Sequence, residues 1–140
     1  MPRELREDAR QAVILRAQYR CEYCLYPEGR SAFAHQIDHI VSRKHGGRSN
    51  LDNLAYCCIF CNRYKGSDVA AIDSETGEAV RLFHPRLQQW PDHFRIRGAV
   101  IEPLTRQGEV TARLLRFNHA ERIVERTILQ SAGRYPRGNR

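Results

Sequence analysis

A small α+β fold is what this sequence predicts, and three observations predict it. Residues 3–20 place Leu5, Ala9, Ala12/Val13 and Ala17 at three- and four-residue steps with charged side chains between them, the period of a half-buried helix. Short apolar stretches separated by Gly, Pro and Asn follow, which is the pattern of short strands and turns. Two Cys-x-x-Cys turns, Cys21/Cys24 and Cys58/Cys61, bracket the first pair of those stretches.

The elements follow in order. After the helix and the CEYC turn, Pro27–Gly29 is a loop and Phe33–Val41 has the length and apolar content of a strand. Gly46-Gly47 forces a turn, Leu51–Tyr56 is a second apolar stretch, and residues 58–72 are expected to hold a helix starting near Cys61. Beyond residue 73, DSETGE is a turn and Val80–Phe83 a strand, while Phe94–Arg97 and Val100–Glu102 form a hairpin around Gly98. Thr105 suits the N-cap of a helix carrying Val110, Leu114 and Phe117. Asn118 with Glu121 resembles a capping box for a last helix through about Leu129. The expected organisation is one domain over 1–132, with a core at about 16–70, an extension at about 71–132 and a basic, mobile tail at 133–140.

Length and composition bound what such a chain does. At 140 residues it can bury a modest core, and 41% hydrophobic with 28% charged residues is ordinary for a globular protein. No apolar run approaches the roughly 18 residues that span a bilayer. Residues 1–20 are too charged for a signal peptide, so the expectation is a cytoplasmic protein with no membrane partner and no structural disulfides. The net charge is +7, and of 23 cationic residues only Lys44 and Lys65 are lysines. Arginine forks match phosphate oxygens, but a GC-rich coding sequence gives the same bias. Charge therefore admits a polyanionic partner and identifies none.

The cysteines say more. Each Cys-x-x-Cys turn sets two thiolates on one side of a tight loop, and two such turns can complete a tetrahedral Zn2+ site, the alternative being buried unligated cysteines or a disulfide. The 33 residues between Cys24 and Cys58 exceed the usual separation in compact zinc ribbons, so a strand–loop–strand unit must lie between the turns. A small polar hairpin cannot hold itself together by apolar burial, and structural zinc supplies the missing folding free energy. Cys57 is left over and suits a small buried apolar position.

Inside that unit lies HQIDHIVSRKHGG (35–47), with three histidines, an aspartate and a glycine pair. Asp38-His39 is followed by Gly46-Gly47, Asn53-Leu54, Cys58-x-x-Cys61-Asn62-Arg63 and Lys65-Gly66. In order and spacing this set, over about residues 16–68, resembles the HNH endonuclease family. The resemblance implies a ββα-metal core, two strands and a helix around one divalent cation. By position, His39 would activate water, Asp38 and Asn62 would bind the catalytic cation (Mg2+ or Mn2+), and Asn53 would hold the loop that orients His39. Cys21, Cys24, Cys58 and Cys61 would bind the structural zinc. Ser42 stands where many members have proline. The stretch LFHPRLQQWPDHF (82–94) resembles a segment that follows the core in many members, with no chemistry attached to it.

The chemistry is consistent by itself. Hydrolysing a phosphodiester needs a base near neutrality, which histidine supplies, and charge stabilisation, which a hard cation on carboxylate and amide oxygens supplies. Arg63 and Lys65, beside Asn62, are candidates to grip a phosphate, with Arg43 and Lys44 further DNA-binding candidates. His35 and His45 suit supporting or DNA-facing positions. Neighbours on a strand point to opposite faces, so Asp38 and His39 reach one site only through a bulge or strand end there. The leading expectation is a metal-dependent DNA endonuclease; the alternative is a zinc-stapled nucleic-acid-binding module without cleavage. A hydrolase working through the four-cysteine metal is disfavoured, since four thiolates leave no position for water.

Overall fold

The structure, a computed structural model, describes residues 6–29 and 34–138. The parts of the expected helix at 3–5 and of the expected strand at Phe33, and the last two tail residues, lie outside them. Helix α1 (Glu7–Arg16) begins with Glu7 and Asp8 and ends with Arg16, charges that complement the helix dipole. It stops short of residue 20 because Gln18 and Tyr19 adopt φ of 56° and 59°, left-handed conformations that cannot continue a helix. Val13 buries against Leu54 and Tyr56. Arg16 ties the helix end to the chain ahead by donating to Leu51 O at 3.0 Å and Leu54 O at 2.6 Å.

Strand β1 (Gln36–His39) pairs antiparallel with β2 (Leu54–Cys57), placing Asp38 opposite Ala55 and His39 opposite Leu54. β1 is shorter than the apolar stretch suggested and ends at His39. The chain then enters a 3-10 turn at Arg43–His45, closed by Gly46 at φ 90°. A second turn at Leu51–Asn53 leads into β2, all of whose residues are buried. Helix α2 (Ile59–Lys65) is capped by Cys58, whose Sγ accepts from Cys61 N, and ends at Gly66.

The helix expected over 58–72 therefore covers only its first half. Residues Ala70–Ile72 form β3 instead, antiparallel to β4 (Ala79–Arg81), with DSETGE as the connecting turn. Asp73 N donates to Glu78 O and Gly77 N to Asp73 O, each at 2.8 Å. Cross-strand pairing overrides the helical preference of Ala70 and Ala71 once Gly66 has stopped the helix.

The short helix α3 (Trp90–His93) lies in the stretch to which the sequence attached no chemistry; Trp90 Nε1 donates to Tyr23 O at 2.8 Å. β5 (Phe94–Arg97) and β6 (Val100–Pro103) form the expected hairpin. Helix α4 (Arg106–Leu114) has Thr105 as its cap, Oγ1 accepting from Gly108 N at 3.0 Å. It ends before Phe117. Helix α5 (Ala120–Ser131) starts from His119, not from a capping box at Asn118. The Asn118 amide is engaged elsewhere: it accepts from Ile101 N at 2.9 Å and donates to Ile101 O at 2.8 Å, fastening β6 to the start of α5.

Among the described residues the fold is thus mixed α+β, with three two-stranded sheets and five α-helices. One apolar cluster runs from Cys21, Tyr23 and Cys24 through Phe83, Phe94 and Ile101 to Leu115, Phe117 and Leu129. Tyr135, in the segment expected to be a mobile tail, is buried in that cluster and donates its hydroxyl to Cys24 O at 2.7 Å. No helix among the described residues is long and apolar enough to cross a membrane.

Candidate functional site

Two polar centres are built on the β1–β2–α2 unit. In the first, the sulfurs of Cys21, Cys24, Cys58 and Cys61 lie within 4.8 Å of one another, and all four residues are buried. Helix α5 adds Arg122, itself buried, whose Nη2 lies 3.0 Å from Cys24 Sγ, 3.7 Å from Cys61 Sγ and 3.8 Å from Cys58 Sγ. Burial works against the guanidinium charge, yet Cys24, Cys61 and Cys58 together hold its pKa above the ordinary value. A buried cation pressed on three sulfurs fits thiolates, and four converging thiolates fit a structural zinc ion. Cys57 is buried but lies outside the four.

The second centre is the end of β1. His39 is half-buried, and its Nε2 hydrogen bonds Ser49 Oγ at 2.9 Å. The segment after it is held by Asn53, which accepts from Val41 N and donates to Val41 O at 2.9 Å each, and donates to Arg48 O at 2.7 Å. Ile40 N adds a bond to Asn53 O. The loop passes so close to itself that a Cβ on Gly47 would stand 1.7 Å from Val41 O, so only glycine fits there. Burial lowers the His39 pKa, as do Arg43 and Lys65, against the opposing pull of Asp38. The imidazole is thus neutral at neutral pH and able to accept a proton. Arg43, Lys44, His45 and Arg48 are exposed in the segment that follows β1, and Arg63 is exposed on α2.

Asp38 points the other way from its neighbour. It is 5% exposed, and Lys65, 2% exposed, sets its Nζ 3.3 Å from Oδ1 and 3.2 Å from Oδ2. Tyr23 donates its hydroxyl to Oδ2 at 2.9 Å, and Lys65 also donates to His39 O at 3.2 Å. Burial raises the Asp38 pKa, opposed by Lys65 and by the Tyr23 hydrogen bond. Asn62 donates to Gln36 Oε1.

This arrangement differs from the sequence expectation in two places. Lys65, expected to grip a phosphate, is buried and faces the protein, because it follows Cys61 by one helical turn and shares its inward face. Asp38, expected to hold a cation with Asn62, has both oxygens bonded, and the ammonium beside it repels a second positive charge. As they stand, these residues do not fit a divalent cation. His35 is buried with Nε2 2.8 Å from Tyr26 O and its ring against Tyr56, while His45 is exposed in the 3-10 turn. Sequence reasoning missed Tyr23, Ser49 and Arg122. The spacing Arg122, Arg126, Leu129 was the available signal for the last, since all three share the buried face of α5.

An α+β chain with a closed four-sulfur centre and a histidine at the end of a two-stranded, helix-backed unit is thereby defined. The family model described as HNH endonuclease matches residues 21–68, from Cys21 to just past Lys65-Gly66. Comparison with curated proteins and with solved structures gave no match. The match makes nuclease-type chemistry on nucleic acid the activity implied for this segment.

Proposed function

We propose that the protein hydrolyses phosphodiester bonds of DNA, with His39 as the base that activates water. The observation that carries this reading is the clamp of Asn53 on Val41, which holds the chain after β1 so that a half-exposed, neutral imidazole stands at the strand end. Ser49 can accept the Nε2 hydrogen bond, which leaves Nδ1 to take the proton from water. Arg43, Lys44 and Arg48, in the segment that follows β1, and Arg63 on α2 are exposed cations of the kind that suits a phosphate backbone. The net charge of +7 acts in the same direction. Zinc at the four cysteines holds the knuckles that carry β1, β2 and α2 and takes no part in the reaction.

The second reading is a zinc-stapled module that binds nucleic acid without cutting it. It is favoured by one observation, the engagement of Asp38 by Lys65 and Tyr23. Incubating the protein with supercoiled plasmid in Mg2+, Mn2+ or EDTA separates the two readings. Nicked or linear product that His39→Ala does not form supports the nuclease. Retarded but intact plasmid under every condition overturns it in favour of the binding module.

A further inference from the structure

Of the two phosphate-gripping cations expected on α2, Arg63 and Lys65, the fold withdraws the second into the interior. Between them stands Tyr64, and a cation from the C-terminal extension lies on its ring. The guanidinium carbon of Arg116 is 4.4 Å from the Tyr64 ring centre. Arg116 is exposed in the turn between α4 and α5, with fully buried Leu115 and Phe117 on either side. Its backbone is pinned: the carbonyl oxygen accepts from His119 N at 3.3 Å and from Arg122 Nη1 at 3.4 Å. Phe117 N donates to Ala112 O at 2.9 Å, closing the end of α4.

At Arg116 φ is 55°, a left-handed conformation that glycine or asparagine takes at a helix end with little strain and arginine does not. A cation–π contact at an exposed site is weak, of the same order as that strain, so the stack alone does not account for an arginine there. What the side chain has left over is its donors. Among the described residues no carboxylate pairs with Arg116 or with Arg63, and none of the five N–H groups of Arg116 meets an acceptor. A planar cation held on an aromatic face with its donors free is preorganised for the oxygens of a phosphate. The hollow beside Tyr64 that carries Glu121 and Glu125 does not include Arg116 and forms no part of this position.

We infer that Arg116 is a phosphate-binding residue supplied by the C-terminal extension, held on Tyr64 so that with Arg63 it grips the DNA backbone beside the segment that matches the family model. This rests on the reading of the protein as one that acts on DNA. The test is binding of the zinc-loaded protein to a short labelled duplex, without added Mg2+ or Mn2+, followed by fluorescence anisotropy over a salt series. Arg116→Gly removes the cation and relieves the left-handed strain. Its melting temperature should equal or exceed that of the wild type. Its plot of log affinity against log salt should be shallower by about 0.9, the worth of one phosphate contact. Arg116→Lys keeps a positive charge and should retain the wild-type slope. Arg97→Gln is the control: it removes an exposed arginine already paired with Glu102 and should move the slope far less.

Two results would overturn the inference. One is an Arg116→Gly protein with the salt slope of the wild type. The other is a slope that falls only together with the melting temperature and that Arg116→Lys does not restore, which would make Arg116 a structural staple between α2 and the turn. Because neither arm uses cleavage, a protein that shows the Arg116 effect but never nicks plasmid would keep this inference and lose the nuclease reading. A protein whose His39-dependent nicking goes with unchanged binding by Arg116→Gly would do the reverse. Wild-type protein that binds no duplex even at low salt would overturn both.

Discussion

The two polar centres that α2 contributes to are built on opposite plans. At the cysteine cluster every side chain converges on one point, and the surroundings (buried Arg122, the Tyr135 hydroxyl on Cys24 O) reinforce that convergence. At the end of β1 the chemistry diverges: His39 faces outward to Ser49, while Asp38 turns inward to Lys65 and Tyr23. The difference comes from how each set is positioned. A Cys-x-x-Cys turn fixes both its ligands within four residues, so local geometry is nearly sufficient. Adjacent strand residues are sent to opposite faces, so what each does is decided by whatever packs on that face. One centre is closed by its own sequence; the other is assembled by its neighbours.

The sharpest way to break the comparison is to remove the closed centre. Replacing Cys24 and Cys61 together by Ala should abolish zinc binding and the cooperative fold of the 21–68 segment, since structural zinc in small sites contributes about 10–16 kcal/mol. Bound zinc by mass spectrometry and circular dichroism on heating measure both. Cys57→Ala should leave zinc content unchanged, as Cys57 lies outside the four. A metal-free double variant melting as the wild type does would mean that apolar packing alone holds the knuckles.

The next effect in size belongs to the divergent centre. His39→Ala should preserve zinc content, folding and DNA affinity while cleavage falls on the order of 10²–10⁴-fold, the worth of a general base. The sign of the pH dependence follows from the direction of the pKa. Because burial lowers the His39 pKa from 6.5 and only the neutral ring accepts a proton, wild-type cleavage should be complete above neutrality. It should decline on acidification with a midpoint below 6.5. A rate that rises on acidification would assign the limiting proton transfer to another group.

Much of this was legible from residue spacing alone. The paired Cys-x-x-Cys turns, the Asp38-His39 step at a strand end, the Gly46-Gly47 turn and the hairpin about Gly98 are all local features, and local features survive into the fold. What was not legible depends on how one element rotates against another. Lys65, expected to grip a phosphate, is four residues from Cys61 and shares its helix face. Once Cys61 is turned toward the other three cysteines, Lys65 is carried inward with it. Asn118 and Glu121 have the spacing of a capping box, but Asn118 is recruited by the backbone of β6. The mobile tail expected at 133–140 follows from Gly, Pro and Arg content, whereas within it Tyr135 is buried.

The smallest expected effect tests whether the closed centre is as self-sufficient as its spacing suggests. Four thiolates around one Zn2+ leave a net negative charge in a dry interior, and Arg122 is the buried cation set against it, 3.0 Å from Cys24 Sγ. Its donors also reach Leu115 O at 3.1 Å, so the same side chain links the zinc site to the turn between α4 and α5. Removing an outer-shell partner of this kind lowers metal affinity by about 10–100-fold. Arg122→Met keeps much of the side-chain volume and removes the charge, so the fold should form with zinc in excess. The loss should appear as faster zinc release to a colorimetric chelator, together with faster amide exchange in α5. Arg126→Met is the control: it lies one turn along the same buried face but donates to Ala99 O and Asn118 Oδ1, so it should loosen α5 with far less effect on zinc release. Equal zinc release from the two variants would mean that Arg122 acts by packing alone, and that the four cysteines hold their metal without help from the C-terminal helix.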